Sequence, residues 1–275
     1  MYIGTSRASG VLLALSTVFL ASCFHPRSLH VLADEETLTR RTTVASGVEL
    51  RMLPLGDSIT YGTDSSDGNG YRIGLQENLD GSDQLFIGSV QSGNMYDNDN
   101  EGHPGATINQ IASFAWNSLP DRPNVVLLHA GTNDLNNPNP TDPYSGAPDR
   151  LGSLIDEIVG ECPDAAVLVA QIIQSANSDT EARIQDYNSQ IPGVVADRAN
   201  QGQHVMVVDM SSIGGSDLSS DGTHPTDAGY QIMAGIWLNG LQTADSYGWI
   251  QPPVGSDPPT RKPRRERRAL SHPMR

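Results

Sequence analysis

The chain has 275 residues, and 37% of them are hydrophobic, which is enough to fill the core of one large domain. The formal net charge is −15 at pH 7, but the last 25 residues carry +5, which leaves −20 for the other 250. A body this acidic repels polyanions, so the composition excludes a nucleic-acid partner and favours a neutral substrate.

The first 23 residues fit a secretory signal peptide. Arg7 is the single early charge, residues 11–20 are mostly apolar, and Ala21 and Ser22 supply small side chains for cleavage. The apolar run is too short to span a bilayer, so we expect a secreted, extracellular protein with no stable membrane association. Two alternatives stay open, namely a short hydrophobic anchor or tag, and lipidation at Cys23, because residues 20–23 resemble a bacterial lipoprotein box.

Three further segments follow the signal peptide. Residues 24–47 are predicted to form a linker, residues 48–250 one folded domain, and residues 251–275 a disordered basic tail. The tail is rich in proline and arginine and has no apolar periodicity, which is typical of disorder. A surface-binding arm is the alternative to a solvated appendage.

Within the domain, short apolar runs alternate with helical patterns, which is typical of a parallel α/β sheet. Strands are predicted at residues 49–55, 84–89, 124–130, 166–173 and 205–210. The third is apolar at four consecutive positions from Val125 to Leu128, as expected for a central strand covered on both faces.

Between the strands, apolar residues recur every three or four positions and predict amphipathic helices. The apolar positions are Tyr71, Leu75 and Leu79; Leu151, Leu154, Ile155 and Ile158; Ile184, Tyr187, Ile191 and Val195; and Ile232, Met233, Ile236 and Trp237. Five strand–helix units of this kind predict a three-layer α/β/α sandwich. Residues 135–148, rich in Asn, Pro and Asp, are predicted to be a loop at a substrate rim.

Four polar segments follow the ends of these strands, where open parallel sheets bind their ligands. They contain Ser58, Gly105, Asn133 and the pair Asp221 and His224. We therefore expect these residues to meet at one edge of the sheet.

Ser58, His224 and Asp221 have the chemistry of an activated serine. A hydroxyl needs a base to take its proton, and an imidazole needs a third group to fix its tautomer. His224 would be the base and Asp221, three residues earlier, its orienting group. The alternatives are a serine that caps a helix and a helix-entry loop with a capping aspartate.

Three groups would stabilise negative charge beside such a serine, namely the backbone N–H groups of Ser58 and Gly105 and the side-chain amide of Asn133. Gly102 lies close enough in sequence to compete with Gly105. The alternatives are ordinary turns, closed at residues 131–134 by Asn or Asp side chains. His129, within an apolar strand, is interpreted as a hydrogen-bonded core histidine rather than a base.

Neither a cofactor nor a metal is predicted. His103, His129 and His224 lie on separate segments without metal-ligand spacing. The chain also has no Walker loop and no Gly-x-Gly-x-x-Gly after a strand, which argues against a nucleotide cofactor.

The polar segments resemble, in order, the four conserved blocks of the SGNH (GDSL-type) hydrolases. The blocks are Gly56-Asp57-Ser58-Ile59, Gly105, Gly131-Thr132-Asn133-Asp134 and Asp221-x-x-His224, and the resemblance spans residues 53–241. It implies a flavodoxin-like sandwich with a five-stranded parallel sheet. It also implies that Ser58 is the nucleophile, His224 the base and Asp221 the orienting acid, with Ser58 N–H, Gly105 N–H and Asn133 as the oxyanion hole.

The sequence also resembles the carbohydrate esterase family 3 branch, whose members are acetyl xylan esterases, at residues 53–62, 101–105 and 129–134. This similarity implies a serine esterase that removes acetyl groups from plant cell-wall polysaccharides or oligosaccharides. The predicted secretion agrees with it, and we expect a monomer. The alternatives are a lipid or arylester hydrolase of the same fold and a non-catalytic carbohydrate-binding protein. The basic tail departs from the family pattern.

Overall fold

The computed structural model describes residues 43–137 and 139–258, together with Met1. The predicted signal peptide, most of the linker and residues 259–275 of the tail lie outside the described residues. Predictions for those segments stay predictions.

Seven strands and seven α-helices make up the described chain. The strands are β1 (Glu49–Gly56), β2 (Asp83–Phe86), β3 (Val90–Gln91), β4 (Asp99–Gly102), β5 (Val125–His129), β6 (Ala166–Gln171) and β7 (Val205–Asp209). The helices are α1 (Ser58–Tyr61), α2 (Tyr71–Asn78), α3 (Ile108–Ala115), α4 (Thr132–Asn136), α5 (Ala147–Glu161), α6 (Ser178–Ala199) and α7 (Asp227–Ser246). Short 3₁₀ helices lie at Leu119–Asp121, Tyr144–Gly146 and Gly215–Asp217.

The strands form one sheet in the order β3-β4-β1-β5-β6-β7, and β2 pairs with the first half of β1. All pairings are parallel except that of β3 with β4. The predicted parallel α/β sheet is therefore confirmed, with β3 and β4 as two strands that the sequence analysis missed. β4 reads Asp-Asn-Glu-Gly, so it has no apolar run by which a strand is recognised.

Helices cover both faces of the sheet, as the three-layer prediction required. α3, α5 and α6 pack on one face against Leu55 and Leu128, and α2 and α7 pack on the other against Met52 and Leu127. All five residues of β5 are buried, which agrees with its continuous apolar run. Each fully buried aliphatic side chain contributes about 1.5–3 kcal/mol of transfer free energy.

The apolar stripe of α7 differs from the predicted one. Tyr230, Met233, Ala234 and Trp237 are buried, whereas Ile232 is 42% exposed. The stripe follows the helical repeat from Tyr230, a residue that the sequence analysis did not include. None of the helices in the described ranges is both long and apolar enough to cross a membrane.

Both predicted ends of the domain need correction. At the start, Val44 and Ala45 are buried in the core, and Ala45 N–H donates to Asp245 Oδ2 at 2.9 Å, so the fold begins before residue 48. At the other end, the side chain of Arg51 is 2% exposed and needs acceptors. Arg51 Nη1 donates to the carbonyl of Val254 at 3.1 Å and Nη2 to Asp257 Oδ1 at 2.9 Å. Residues 251–258 therefore pack against the domain and are not part of a disordered tail.

Candidate active site

Ser58 stands at a sharp turn between the first strand and the first helix. A Cβ atom on Gly56 would lie 2.3 Å from the carbonyl oxygen of His129 and 2.4 Å from Thr60 Oγ1, so only glycine fits there. Asp57 caps α1, because its Oδ1 accepts from Ile59 N–H at 3.0 Å. The helix cap is thus Asp57, which leaves the hydroxyl of Ser58 free for other partners.

The structure brings Ser58, His224 and Asp221 together in one chain of hydrogen bonds. His224 Nε2 lies 2.8 Å from Ser58 Oγ, and His224 Nδ1 lies 2.5 Å from Asp221 Oδ2. A carboxylate only accepts hydrogen bonds, so Nδ1 carries the proton and Nε2 is the acceptor that faces the serine. This is the geometry in which an imidazole takes a proton from a hydroxyl.

The loop that carries Asp221 and His224 is braced by its own hydrogen bonds. Ser219 N–H donates to the carbonyl of His224 at 2.7 Å, and Gly222 N–H donates to the carbonyl of Ser219 at 3.0 Å. Asp221 Oδ1 accepts from the backbone N–H groups of Thr223 and His224 at 2.8 and 3.0 Å. Asp221 therefore organises the loop, as the alternative interpretation had it, and also holds the imidazole.

These contacts decide the charge of Asp221. Partial burial raises its pKa, but hydrogen bonds from the backbone of His224 and Thr223 and from the side chains of His224 and Ser219 outweigh that effect. The pKa of this carboxyl is consequently held well below its usual range. Asp221 is therefore a carboxylate at neutral pH.

Gly105 lies at the tip of a tight turn. Ala106 N–H donates to the carbonyl of His103 at 3.0 Å, Pro104 precedes the glycine, and φ of Gly105 is +82°. Proline followed by a glycine of positive φ is the pattern of a type II turn. The turn's own hydrogen bond uses Ala106, so the N–H of Gly105 in the central peptide is left to point away from the turn.

Asn133 is hydrogen-bonded to the same turn. Its Nδ2 donates to the carbonyl of Ala106 at 2.9 Å, and the amide has a second hydrogen to offer. Gly102 N–H instead donates to Asn100 Oδ1 at 2.9 Å, and a Cβ on Gly102 would lie 2.4 Å from Tyr61 N. Gly102 is therefore required for close packing between β4 and α1 and does not compete with Gly105.

Asp134, next to Asn133, ties three helices together. Its Oδ2 accepts from Ile108 N–H at 2.9 Å, and its Oδ1 from Arg150 Nη2 at 2.8 Å. Asp134 is 3% exposed. It fixes the start of α4, and with it Asn133, against α3 and α5, rather than closing a local turn as the alternative interpretation supposed.

His129 is buried, as predicted, but its ring lacks the predicted hydrogen bond. Neither ring nitrogen has a hydrogen-bond partner among the described residues. Burial lowers its pKa to about 4, so the ring is neutral near pH 7. An enclosed imidazole with so low a pKa is a weak proton acceptor, and the imidazole that faces Ser58 Oγ is that of His224.

The sequence analysis gave no role to three residues beside the site, namely Asp57, which precedes Ser58, and Ser219 and Asp64, which lie next to Asp221. Burial raises the pKa of Asp57 to about 6, against the opposing effects of Ile59 N–H and nearby groups. Ser219 Oγ lies 2.8 Å from Asp221 Oδ1 and 2.6 Å from Asp64 Oδ2. The aspartate of the first block was a visible signal for Asp57, but nothing in the sequence pointed to Asp64.

Asp64, Asp221 and His224 each present a potential ligand atom for a metal, all within 4.8 Å of one another. Two of the three are already bonded to each other as imidazole and carboxylate. The expectation that no metal is needed stays a prediction.

Comparison with known proteins gives one family. Residues 55–232 match the GDSL-like lipase/acylhydrolase family. A multidomain esterase of Ruminococcus flavefaciens is 28% identical over 236 residues. The match covers 74% of this chain but 29% of that esterase, so the chain spans less than a third of this relative.

Several solved structures are similar to the chain over almost their whole length. The Clostridium thermocellum family 3 carbohydrate esterase is 35% identical, with a TM-score of 0.61 over 72% of this chain and 99% of that one. A carbohydrate esterase family 3 protein from Talaromyces cellulolyticus is 26% identical, with a TM-score of 0.57 over 73% and 99%. An acetyl esterase mutant with acetate ion is 25% identical, with a TM-score of 0.57 over 73% and 99%.

Proposed function

Because the chain belongs to the GDSL-like lipase/acylhydrolase family, we propose that it is a secreted serine esterase that removes acetyl groups from plant cell-wall polysaccharide. The observation that carries the proposal is the hydrogen bond of 2.8 Å between Ser58 Oγ and His224 Nε2, with Asp221 behind the imidazole. This arrangement suits acyl transfer through a covalent intermediate.

The proposed reaction has two halves. Ser58 Oγ attacks the carbonyl carbon of the ester while His224 Nε2 takes the hydroxyl proton. The resulting oxyanion accepts hydrogen bonds from Ser58 N–H, Gly105 N–H and Asn133 Nδ2. His224 then gives its proton to the leaving sugar oxygen, which leaves an acetyl group on Ser58. Water then gives a proton to His224 and attacks the acetyl carbon, and His224 returns that proton to Ser58 Oγ as the acyl–oxygen bond breaks and acetate leaves.

Two considerations support a carbohydrate acetate as the substrate. Two of the similar structures are carbohydrate esterases of family 3, and a third is an acetyl esterase with acetate ion. The charge of −20 on the first 250 residues favours a neutral acetylated sugar over a polyanion. Export from the cell is part of the same proposal, since a polysaccharide substrate lies outside the cell, and the protein is proposed to be a monomer.

The proposal is tested by acetate release from acetylated xylan. Ser58→Ala removes the attacking oxygen and should abolish release, while circular dichroism shows the fold intact. The matched control is Ser153→Ala, which removes an exposed hydroxyl that donates to the carbonyl of Asp149 within α5, and it should keep full activity.

A panel of p-nitrophenyl esters of increasing acyl length tests the substrate class. Preference for acetyl over long acyl chains is expected. Preference for long chains, together with failure on acetylated xylan and pectin, would point to a lipid hydrolase and contradict the carbohydrate assignment.

A further inference from the structure

The turn that carries Gly105 is held at both of its ends. His103 N–H donates to the carbonyl of Gly56 at 3.0 Å, which ties the first residue of the turn to the strand before Ser58. The carbonyl of Ala106 accepts from Asn133 Nδ2 at 2.9 Å, which ties the last residue to another proposed oxyanion donor. Gly105 itself is exposed, so its orientation depends on these two attachments.

The side chain of His103 adds a third attachment. Its Nε2 lies 2.6 Å from Glu101 Oε1, and its ring stacks on Phe114 with centroids 3.7 Å apart and planes within 13°. The side chain is 18% exposed. One edge and one face of the imidazole are therefore fixed by β4 and α3, on either side of the turn.

Glu101 makes this attachment strong. Its side chain is fully buried and accepts from Ser89 N–H at 2.8 Å, from Ser89 Oγ at 2.7 Å and from Ser118 Oγ, besides His103. A buried carboxylate is costly unless its lone pairs are filled, so each of these bonds is firmly held. Among these donors, His103 alone belongs to the turn.

We propose that His103, anchored by Glu101, is a positioning residue that aims the N–H of Gly105 at the oxyanion. The inference rests on the esterase function proposed above. Without the anchor, the exposed Pro104–Gly105 peptide is free to rotate from the type II to the type I arrangement, which turns the N–H away. Misplacing a group by about 1 Å costs on the order of 100-fold in rate, so a loose turn should slow the reaction without weakening substrate binding.

Two amide variants of His103 test this inference, because they differ in reach. In His103→Gln the amide nitrogen lies near the position of Nε2 and can still donate to Glu101. The side chain of His103→Asn is one carbon shorter and does not reach Glu101. Both variants lose the ring that stacks on Phe114. With p-nitrophenyl acetate, we expect His103→Asn to lower kcat about tenfold or more with KM within about twofold. His103→Gln should recover most of that loss.

Ser89→Ala is the matched control, because it removes another hydrogen bond to Glu101 without touching the turn. Its kcat should stay at the parent value. Equal kcat for the Asn and Gln variants, or an equal loss in Ser89→Ala, would overturn the inference. If Ser58→Ala kept activity, the proposed function itself would fail; if only the His103 variants kept full kcat, the esterase assignment would stand and the positioning role would not.

Discussion

The backbone angle of Gly105, rather than the space around it, makes glycine necessary there. Its φ is +82°, yet a Cβ would meet nothing within 4 Å. Gly105→Ala should relieve the strain by rotating the central peptide, which removes one oxyanion donor. We expect kcat for p-nitrophenyl acetate to fall about tenfold or more, with an unfolding free energy lower by about 1–2 kcal/mol.

Gly202 offers a matched control for this variant. Its φ is +85°, an added Cβ would again meet nothing within 4 Å, and it follows α6 at the opposite edge of the sheet. Gly202→Ala should lose similar stability and keep its kcat. A parallel loss of kcat in both variants would show that Gly105 matters for folding rather than for catalysis.

Asp57 should make stability depend on pH. Its pKa is 3.8 in the unfolded chain and about 6 in the folded protein, so the folded state binds this proton more tightly between those values. The folded state is therefore destabilised as pH rises through that window, by about 3 kcal/mol above pH 6 at about 1.4 kcal/mol per pKa unit.

Asp57→Asn removes this pH dependence and keeps an oxygen that can cap Ile59. Urea denaturation should show the variant more stable than the parent at pH 8, with the difference disappearing towards pH 4. A difference that grows as pH falls would mean that the carboxylate, rather than its protonated form, is stabilised in the fold.

The sequence predicts the site residues that follow strand ends, but it does not predict the hydrogen bonds between separate loops and strands. Ser58, Asn133 and His224 were placed at one edge because parallel strands end at a common edge. The contacts of Glu101 with Ser89 and Ser118 and of Asp64 with Ser219 were not predictable, since each joins separate segments without a repeating pattern. The buried Asp57 was visible as a residue, but its pKa follows from packing that no local pattern encodes.

At the scale of elements, one buried arginine joins the segments around the end of α1. Arg72, on α2, donates through Nη2 to the carbonyls of Tyr61 and Gly68 and to Ser92 Oγ, and through Nη1 to the carbonyl of Asn98. Arg72→Met removes these donors at once; Ser92 Oγ and the carbonyl of Asn98 keep a hydrogen bond from Asn100 Nδ2, but the other acceptors lose a buried partner. We expect the unfolding free energy to fall by about 1–3 kcal/mol, the cost of leaving buried polar groups short of hydrogen bonds.

The unfolding free energy of Arg72→Met is measured by chemical denaturation, and Arg198→Met is the control variant. Arg198 pairs with Asp156, whose side chain is 57% exposed, so the loss should be about 1 kcal/mol or less. Similar losses in the two variants would show that burial of Arg72 contributes nothing beyond an ordinary ion pair.

Elements with an apolar signal were predicted, and those without one were not. β1, β5 and β6 each carry a buried apolar run and β7 a partly buried one, and all four were located. β4 was missed, because the buried residues in it are the polar Asn100 and Glu101 rather than aliphatic ones. The hydrophobic pattern identifies strands by their apolar core residues, so it does not identify a strand whose buried residues are polar and hydrogen-bonded.

At the scale of the whole molecule, the segment after α7 completes the packing around β1. The carbonyl of Gln251 accepts from Asn124 Nδ2 at 2.7 Å, and Val254 and Asp257 accept from Arg51. Because composition predicts that residues 259–275 are disordered, we expect a chain ending at residue 258 to unfold at the same temperature as the full chain. A chain ending at residue 250 should lose about 1–3 kcal/mol, because buried donors are left unpaired.

Thermal unfolding of the two truncated chains distinguishes these cases. Equal midpoints for both would show that residues 251–258 add nothing to stability. Composition predicted a tail here, since the segment is rich in proline and has no apolar periodicity, but the acceptors that Arg51 needs are visible only in the fold.

The measurement that tests the central claim most directly is trapping of the acetyl-enzyme. The protein is mixed briefly with p-nitrophenyl acetate, and the reaction is quenched in acid. The protein is then digested, and the masses of its peptides are measured by mass spectrometry. We predict one acetyl group on the peptide that contains Ser58, with no such label in Ser58→Ala or His224→Ala. Turnover of acetylated substrate by Ser58→Ala, or an acetyl group on a different residue in the parent, would contradict the account.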